Sequence, residues 1–180
     1  MHAKLVSLLK APFAALALVE ESNPTLRSPA QEWDHRTCTP HDALALAHAM
    51  GEVMVANGGI GLAAPQVGIS TRLFVMRHDS TFKACFNPRI LTYGGEVETR
   101  KEGCLSFPGL FLDVGRHTAI TVEYQDAWGN TVNEELAGIP ARCYQHEMDH
   151  LDGVCIVNHA SKLALNIAQR KRNKIQKRKS

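Results

Sequence analysis

The spacing of apolar and polar positions changes period several times along the chain, and each change marks an element. Residues 39–59, TPHDALALAHAMGEVMVANGG, hold apolar residues at helical spacing between a start signal and a stop. Thr39 can cap the first turn, Pro40 suits a position whose N–H would be unsatisfied anyway, Asp42 favours the positive end, and Gly58-Gly59 ends the run. Leu44, Ala47, Met54 and Val55 form its expected buried stripe. Strand-like runs follow in RLFVMRH (72–78), FKACFNPRIL (82–91) and TAITVEYQDAWGNTVNEEL (118–136), the last a hairpin turning near Trp128-Gly129-Asn130. Helical spacing returns in IPARCYQHEMDHLDG (139–153), with Pro140 near its start and Gly153 just past its end. From Ser161 a third helix carries Leu163, Ile167 and Ile175, which thin out as charge accumulates. Helix, strands, helix, tail is an α+β pattern.

Composition narrows the class. A chain of 180 residues with 44% hydrophobic content can bury one core, so a single domain over 1–180 is expected. No uninterrupted run approaches the ~20 apolar residues that cross a bilayer, which argues against an integral membrane protein. The opening MHAKLVSLLKAPFAALALVEE is apolar after a basic start, but Lys10 and Pro12 interrupt it where a secretory core should be continuous. Residues 1–16 are read as an extension without an assigned role. Five cysteines, odd in number and with no CxxC pair, fit a reducing cytoplasm.

The net charge of +2 conceals a polarity. After Asp152 no acidic residue occurs, while eight basic ones do; residues 1–152 hold 12 basic against 18 acidic side chains. An acidic body of −6 therefore carries a basic tail of +8. Such a tail is either a solvated helix or an electrostatic tether to a polyanion such as RNA.

QHEMDH, residues 145–150, carries the chemistry. Two histidines four apart project from one helix face, and Glu147 points beside them, which makes a pair of metal ligands with a base alongside. Two imidazoles do not close a catalytic metal site, so a third ligand is required. Cys38, Cys85, Cys143 and Cys155 sit among ordinary neighbours, as small buried hydrophobes do. Cys104, in KEGCLSFPG, is bracketed by glycines and a proline that can carry a strand edge or turn against another element.

Three motifs in order, GIGLAAPQVG (59–68), EGCLS (102–106) and QHEMDHL (145–151), make the chain resemble the peptide deformylases. Weaker agreement, through NPTLR (23–27) and the basic helical tail, extends the likeness over 18–180. Arg100, Phe107, Phe111, Arg142 and Tyr144 are individual to this chain and leave fine substrate preference open. The resemblance implies short antiparallel strands packed around the helix that carries HExxH, with a C-terminal helix. It also implies one divalent metal on Cys104, His146 and His150, Fe²⁺ in cells with Zn²⁺ or Ni²⁺ able to replace it. Glu147 would be the general base, with the Leu105 N–H and the Gln66 amide as oxyanion donors. The main chain at Gly61 would pair with the peptide, and Ile60, Leu105, Ile139, Cys143 and the edge of His146 would line a slot for methionine. The implied substrate is the formylmethionyl end of a nascent peptide, the product formate, and the further partner the ribosome near its exit tunnel, held by residues 161–180. Two other classes compete: a zinc peptidase, which has the HExxH spacing but no evident downstream Glu or His ligand, and an idle RNA- or ribosome-binding relative.

Overall fold

The computed structural model describes residues 16–78 and 81–177. The expectations about a secretory core and a 1–16 extension fall almost wholly outside these residues. Three helices, α1 (Pro40–Ala56), α2 (Gly138–Leu151) and α3 (Lys162–Gln176), accompany five strands, β1 (Gly61–Ala63), β2 (Leu73–His78), β3 (Thr81–Gly103), β4 (Phe111–Gln125) and β5 (Thr131–Ala137). The strands form one antiparallel sheet in the order β1-β2-β3-β4-β5.

β2 shows how the core is divided. Leu73 and Val75 face α1, where they meet Leu46, Met50 and Met54; Phe74 and Met76 face α2, where they meet Tyr144 and Leu151. A strand covered on both sides has no polar face, which is why LFVM is continuously apolar. A third cluster joins Phe107, Leu110, Leu112 and Val114 to Leu26 and Ile156, with Leu165 and Ala168 of α3 packed on it.

α1 begins where its signals place it. Thr39 and Asp42 form a reciprocal capping box, Thr39 Oγ1 accepting from Asp42 N and Asp42 Oδ2 from Thr39 N. The expected stripe is half wrong: Ala47 and Met54 are buried, but Leu44 and Val55 are 45% and 64% exposed. Ala43, Leu46 and Met50 take the core positions instead. ALALA offers apolar residues to every direction, so spacing alone could not orient the helix.

The hairpin turns as expected, Asp126 Oδ1 accepting from the N–H groups of Trp128 and Asn130. β3 and β4 run longer than their apolar stretches. From Leu91 onward β3 is mostly exposed and pairs with β4 alone, with register shifts near Gly94 and Val97. This charged ribbon delivers Glu102 and Cys104 to α2.

Candidate metal and substrate site

α2 is fixed before its histidines are considered. β5 ends at Ala137, opposite Ala119, so His117 has no strand partner on that side. Gln145 takes its place: its Oε1 accepts from His117 N at 3.1 Å and its Nε2 donates to His117 O at 2.9 Å. One side-chain amide thus extends the β4 ladder by a residue and holds the helix against the sheet. At the other end, Gly153 (φ +75°) passes so close to Arg27 and Ser28 that an added Cβ would lie 2.9 Å from their carbonyl carbons.

On that helix, His146 and His150 face the turn after β3. Among the described residues, Cys104, His146 and His150 bring one ligand atom each within 4.8 Å of one another, Cys104 Sγ lying 3.1 Å from His150 Nε2. His150 is 1% exposed, and its Nδ1 is buried without a hydrogen-bond partner. Burial, then the neighbouring His146 and Arg116, pushes its pKa well down, which keeps the imidazole neutral as ligation requires. His146 Nδ1 lies 3.1 Å from Glu102 Oε2. Burial opposes charge on this ring, but its hydrogen bonds to Cys104 and Glu102 outweigh it and raise the pKa to about 10. The proton so held is the one a cation on that ring would displace. A thiol and two imidazoles, buried and converging, fit a divalent ion of borderline softness.

Glu102 anchors the set and was missed. It is 7% exposed and receives Arg142 Nη1 at 2.6 Å, Arg116 Nε at 3.3 Å and Arg116 Nη2 at 3.2 Å. Burial pushes its carboxyl up, yet bonds from His146, Arg116 and Arg142 hold it near 2. Arg116 continues to Asp149 at 2.6 Å, and Asp149 to His159 at 2.7 Å. A signal existed for one member: Arg142, His146 and His150 are spaced i, i+4, i+8 on one face. Nothing local marks Arg116, which comes from mid-β4.

Glu147 sits 3% exposed with Oε2 unpartnered. Burial pushes its pKa up to about 7, against the opposing pull of His146 and Arg116. Gly61 makes room for it: a Cβ there would collide with Glu147 Oε1 and lie 2.7 Å from Cys143 Sγ. Gln66 is held at both ends, its Oε1 accepting from Ala63 N at 2.8 Å and its Nε2 donating to Ser106 Oγ at 3.1 Å, 3.6 Å from Cys104 Sγ. A cavity of about 1170 Å³ opens over these groups. It is lined by Ile60, Gly61, Gln66, Cys104, Leu105, Ile139, Cys143, His146 and Glu147, so every residue expected at the site faces it except His150, which is sealed behind.

Residues 15–166 match the polypeptide deformylase family. The chain belongs to that family. Its activity is the family's: metal-dependent hydrolytic removal of the N-formyl group from newly made peptides. Among similar deformylases, that of Thermotoga neapolitana is 49% identical over 123 residues, 68% of this chain and 74% of the relative. A crystal structure of the Synechococcus elongatus deformylase in complex with actinonin matches with TM-score 0.80 and 38% identity, over 91% of this chain and 88% of that one. The Legionella pneumophila deformylase structure matches with TM-score 0.81 and 30% identity, over 92% and 98%. Zinc peptidase is thereby set aside as a reading of the HExxH spacing.

Proposed function

We propose that Cys104, His146 and His150 hold one divalent ion, Fe²⁺ in cells with Zn²⁺ or Ni²⁺ as substitutes, and that Glu147 is the base that deformylates formylmethionyl peptides. The observation that carries this reading is the convergence of the thiol and both imidazoles beside a buried carboxyl whose Oε2 has no partner, with Cys104, His146 and Glu147 lining one cavity and His150 behind them. When bound, the ion supplies Lewis acidity toward water and the formyl oxygen. Glu147 accepts the proton of the attacking water and returns it to the departing amine. The Leu105 N–H finds no backbone acceptor among the described residues, and the Gln66 amide is locked in direction; in this reading both donate to the developing oxyanion. β1 is an edge of the sheet and Gly61 lines the cavity, so in this reading its main chain pairs with an extended peptide. Ile60 and Ile139, 48% and 62% exposed at the mouth, are apolar surface that a methionine side chain would cover against Cys143, Leu105 and His146. Turnover of formyl-Met-Ala-Ser with formate release is expected from metal-loaded enzyme, with none from the chelated enzyme. Formate release that survives complete metal removal would overturn the reading.

The tail has a second task in this proposal, binding the ribosome near its exit in the cytoplasm. Leu165, Ala168, Gln169 and Arg172 of α3 turn inward, whereas Leu163 and Ile167 are 71% and 57% exposed and share the outward face with Arg170, Lys171 and Lys174. With Ile175 at 51%, most of the surface of the tail's three apolar residues Leu163, Ile167 and Ile175 is left off the body, which supports the tether over their packing the tail down. The cations of this outward face suit anionic ribosomal RNA, and the bare aliphatic side chains among them suit ribosomal protein beside it. No helix among the described residues is long and apolar enough to cross a membrane. Replacing Arg170, Lys171 and Lys174 together by Ala is expected to leave tripeptide hydrolysis unchanged. Co-sedimentation with ribosomes should weaken, and that of the unsubstituted protein should fall steeply with salt. Equal recovery of both proteins at every salt concentration would reject the tether.

A further inference from the structure

The cavity has an outer wall that the reaction chemistry does not use. Leu18, Val19, Glu20, Glu21 and Ser22 line one side of it, and Pro108 to Phe111 line another. Val19 N donates to Gln66 O at 2.9 Å, which ties the first wall to the strand-end turn carrying Gln66. Further out, the same wall is held by α3. Arg172 Nη1 donates to Glu21 Oε1 at 2.5 Å, and the Arg172 side chain is only 17% exposed. Its Nε is buried with no acceptor, and among the described residues the Glu21 carboxylate is the charged partner of the guanidinium. Its stem also lies over the second wall: a Cβ on Gly109 would sit 3.5 Å from Arg172 Cγ. Leu165 and Ala168 pack, as Val19 does, on the cluster that holds Phe107 and Leu110.

We infer that Arg172 is a positioning residue that braces the two walls against each other, so that the tail helix sets the width of the cavity beyond the formylmethionyl group. The inference rests on this cavity being the peptide site. The family match ends at residue 166, so the brace belongs to a part of the chain outside it. A largely buried guanidinium loses more than an exposed one when its counter-charge is removed, and the wall it grips is a short segment that is otherwise held by few bonds. Loosening that wall costs binding of the peptide's later residues but leaves the floor untouched.

The test compares formyl-Met-Ala with a formyl-Met pentapeptide on the full-length metal-loaded enzyme. Arg172→Met keeps the stem and removes the charge; it is expected to raise KM for the pentapeptide about 5-fold, the upper range for one ion pair. The kcat, and the KM for formyl-Met-Ala, should stay within about twofold. Arg172→Lys should restore most of the loss, and Arg172→Glu combined with Glu21→Arg should recover more than either change alone. A pentapeptide KM that is unmoved in Arg172→Met, or that rises equally for both substrates, overturns the brace. Ile60→Arg, inside the slot, separates the two readings. It should raise KM for both substrates, and an unmoved KM there overturns the site assignment and the brace with it.

Discussion

Cys104→Ala is expected to lose its metal and its hydrolytic activity together. Metal content after dialysis, measured by mass spectrometry, should be stoichiometric in the unsubstituted protein, in Cys143→Ala and in Cys155→Ala, and absent in Cys104→Ala. All five cysteines are buried and free, so burial alone does not single one out. What distinguishes Cys104 is its Sγ, 3.1 Å from His150 Nε2 and within the three-residue cluster, whereas Cys143 Sγ points to the Ile60 carbonyl and Cys155 Sγ to that of Leu26. Removing a ligand should exceed the ~10–100-fold affinity loss typical of losing an outer partner. Affinity should also fall as pH falls, because His146 carries a proton up to about 10 when the site holds none but its own groups. Full metal retention by Cys104→Ala would refute the ligand set.

Glu147→Gln should keep the metal and lose at least ~10²-fold in kcat, the lower end for general acid–base catalysis. Gln matches Glu in size, so the tight approach of Gly61 is preserved. The pH profile adds a readout that mere disturbance would not. Glu147 must be ionised to accept a proton, so kcat/KM of the unsubstituted enzyme declines as pH drops through its pKa. Burial raises that pKa to about 7, and a cation beside it favours the carboxylate, so the acid limb lies at or below about 7. The limb should vanish in Glu147→Gln. Folding has the opposite sign: a carboxyl whose pKa rises on folding weakens the native state above its unfolded pKa, and most fully above its folded one. Metal-free Glu147→Gln should therefore melt no lower than the unsubstituted metal-free protein at pH 8. Near-normal turnover with metal bound would assign the proton to another group.

Legibility followed how local the cause was. The capping residues of α1, the Asp126–Asn130 turn and the histidine pair are each specified within a few residues, and each was readable. The orientation of α1 was not, because ALALA is apolar on every face and only its partners Leu62 and Val75 select Leu46 and Met50. β3 was read short since its distal half is held by pairing with β4 and buries little of its own surface. Glu102 lay in a quoted motif without a role, as its partners Arg116, Arg142 and His146 arrive from two other elements. The inward face of the tail depends on Phe107 and Leu110 and on Glu21, the last about 150 positions earlier.

Gln145, the amide that stands in for a missing strand residue, bears on how the enzyme is loaded. Helix and sheet share one hydrogen-bond ladder there, so separating them breaks both of these bonds. Two of the three proposed ligands sit on that helix, one and five residues beyond the amide, and the Glu102–Arg116–Asp149 charges join it to the ribbon that brings the third. Hydrogen bonds and ion pairs of the chain itself therefore hold the three proposed ligands together, in contrast to small domains in which a cation creates the structure. On the proposed ligand set an ion is then expected to exchange without unfolding the chain, and the identity of the resident to follow supply in the surroundings.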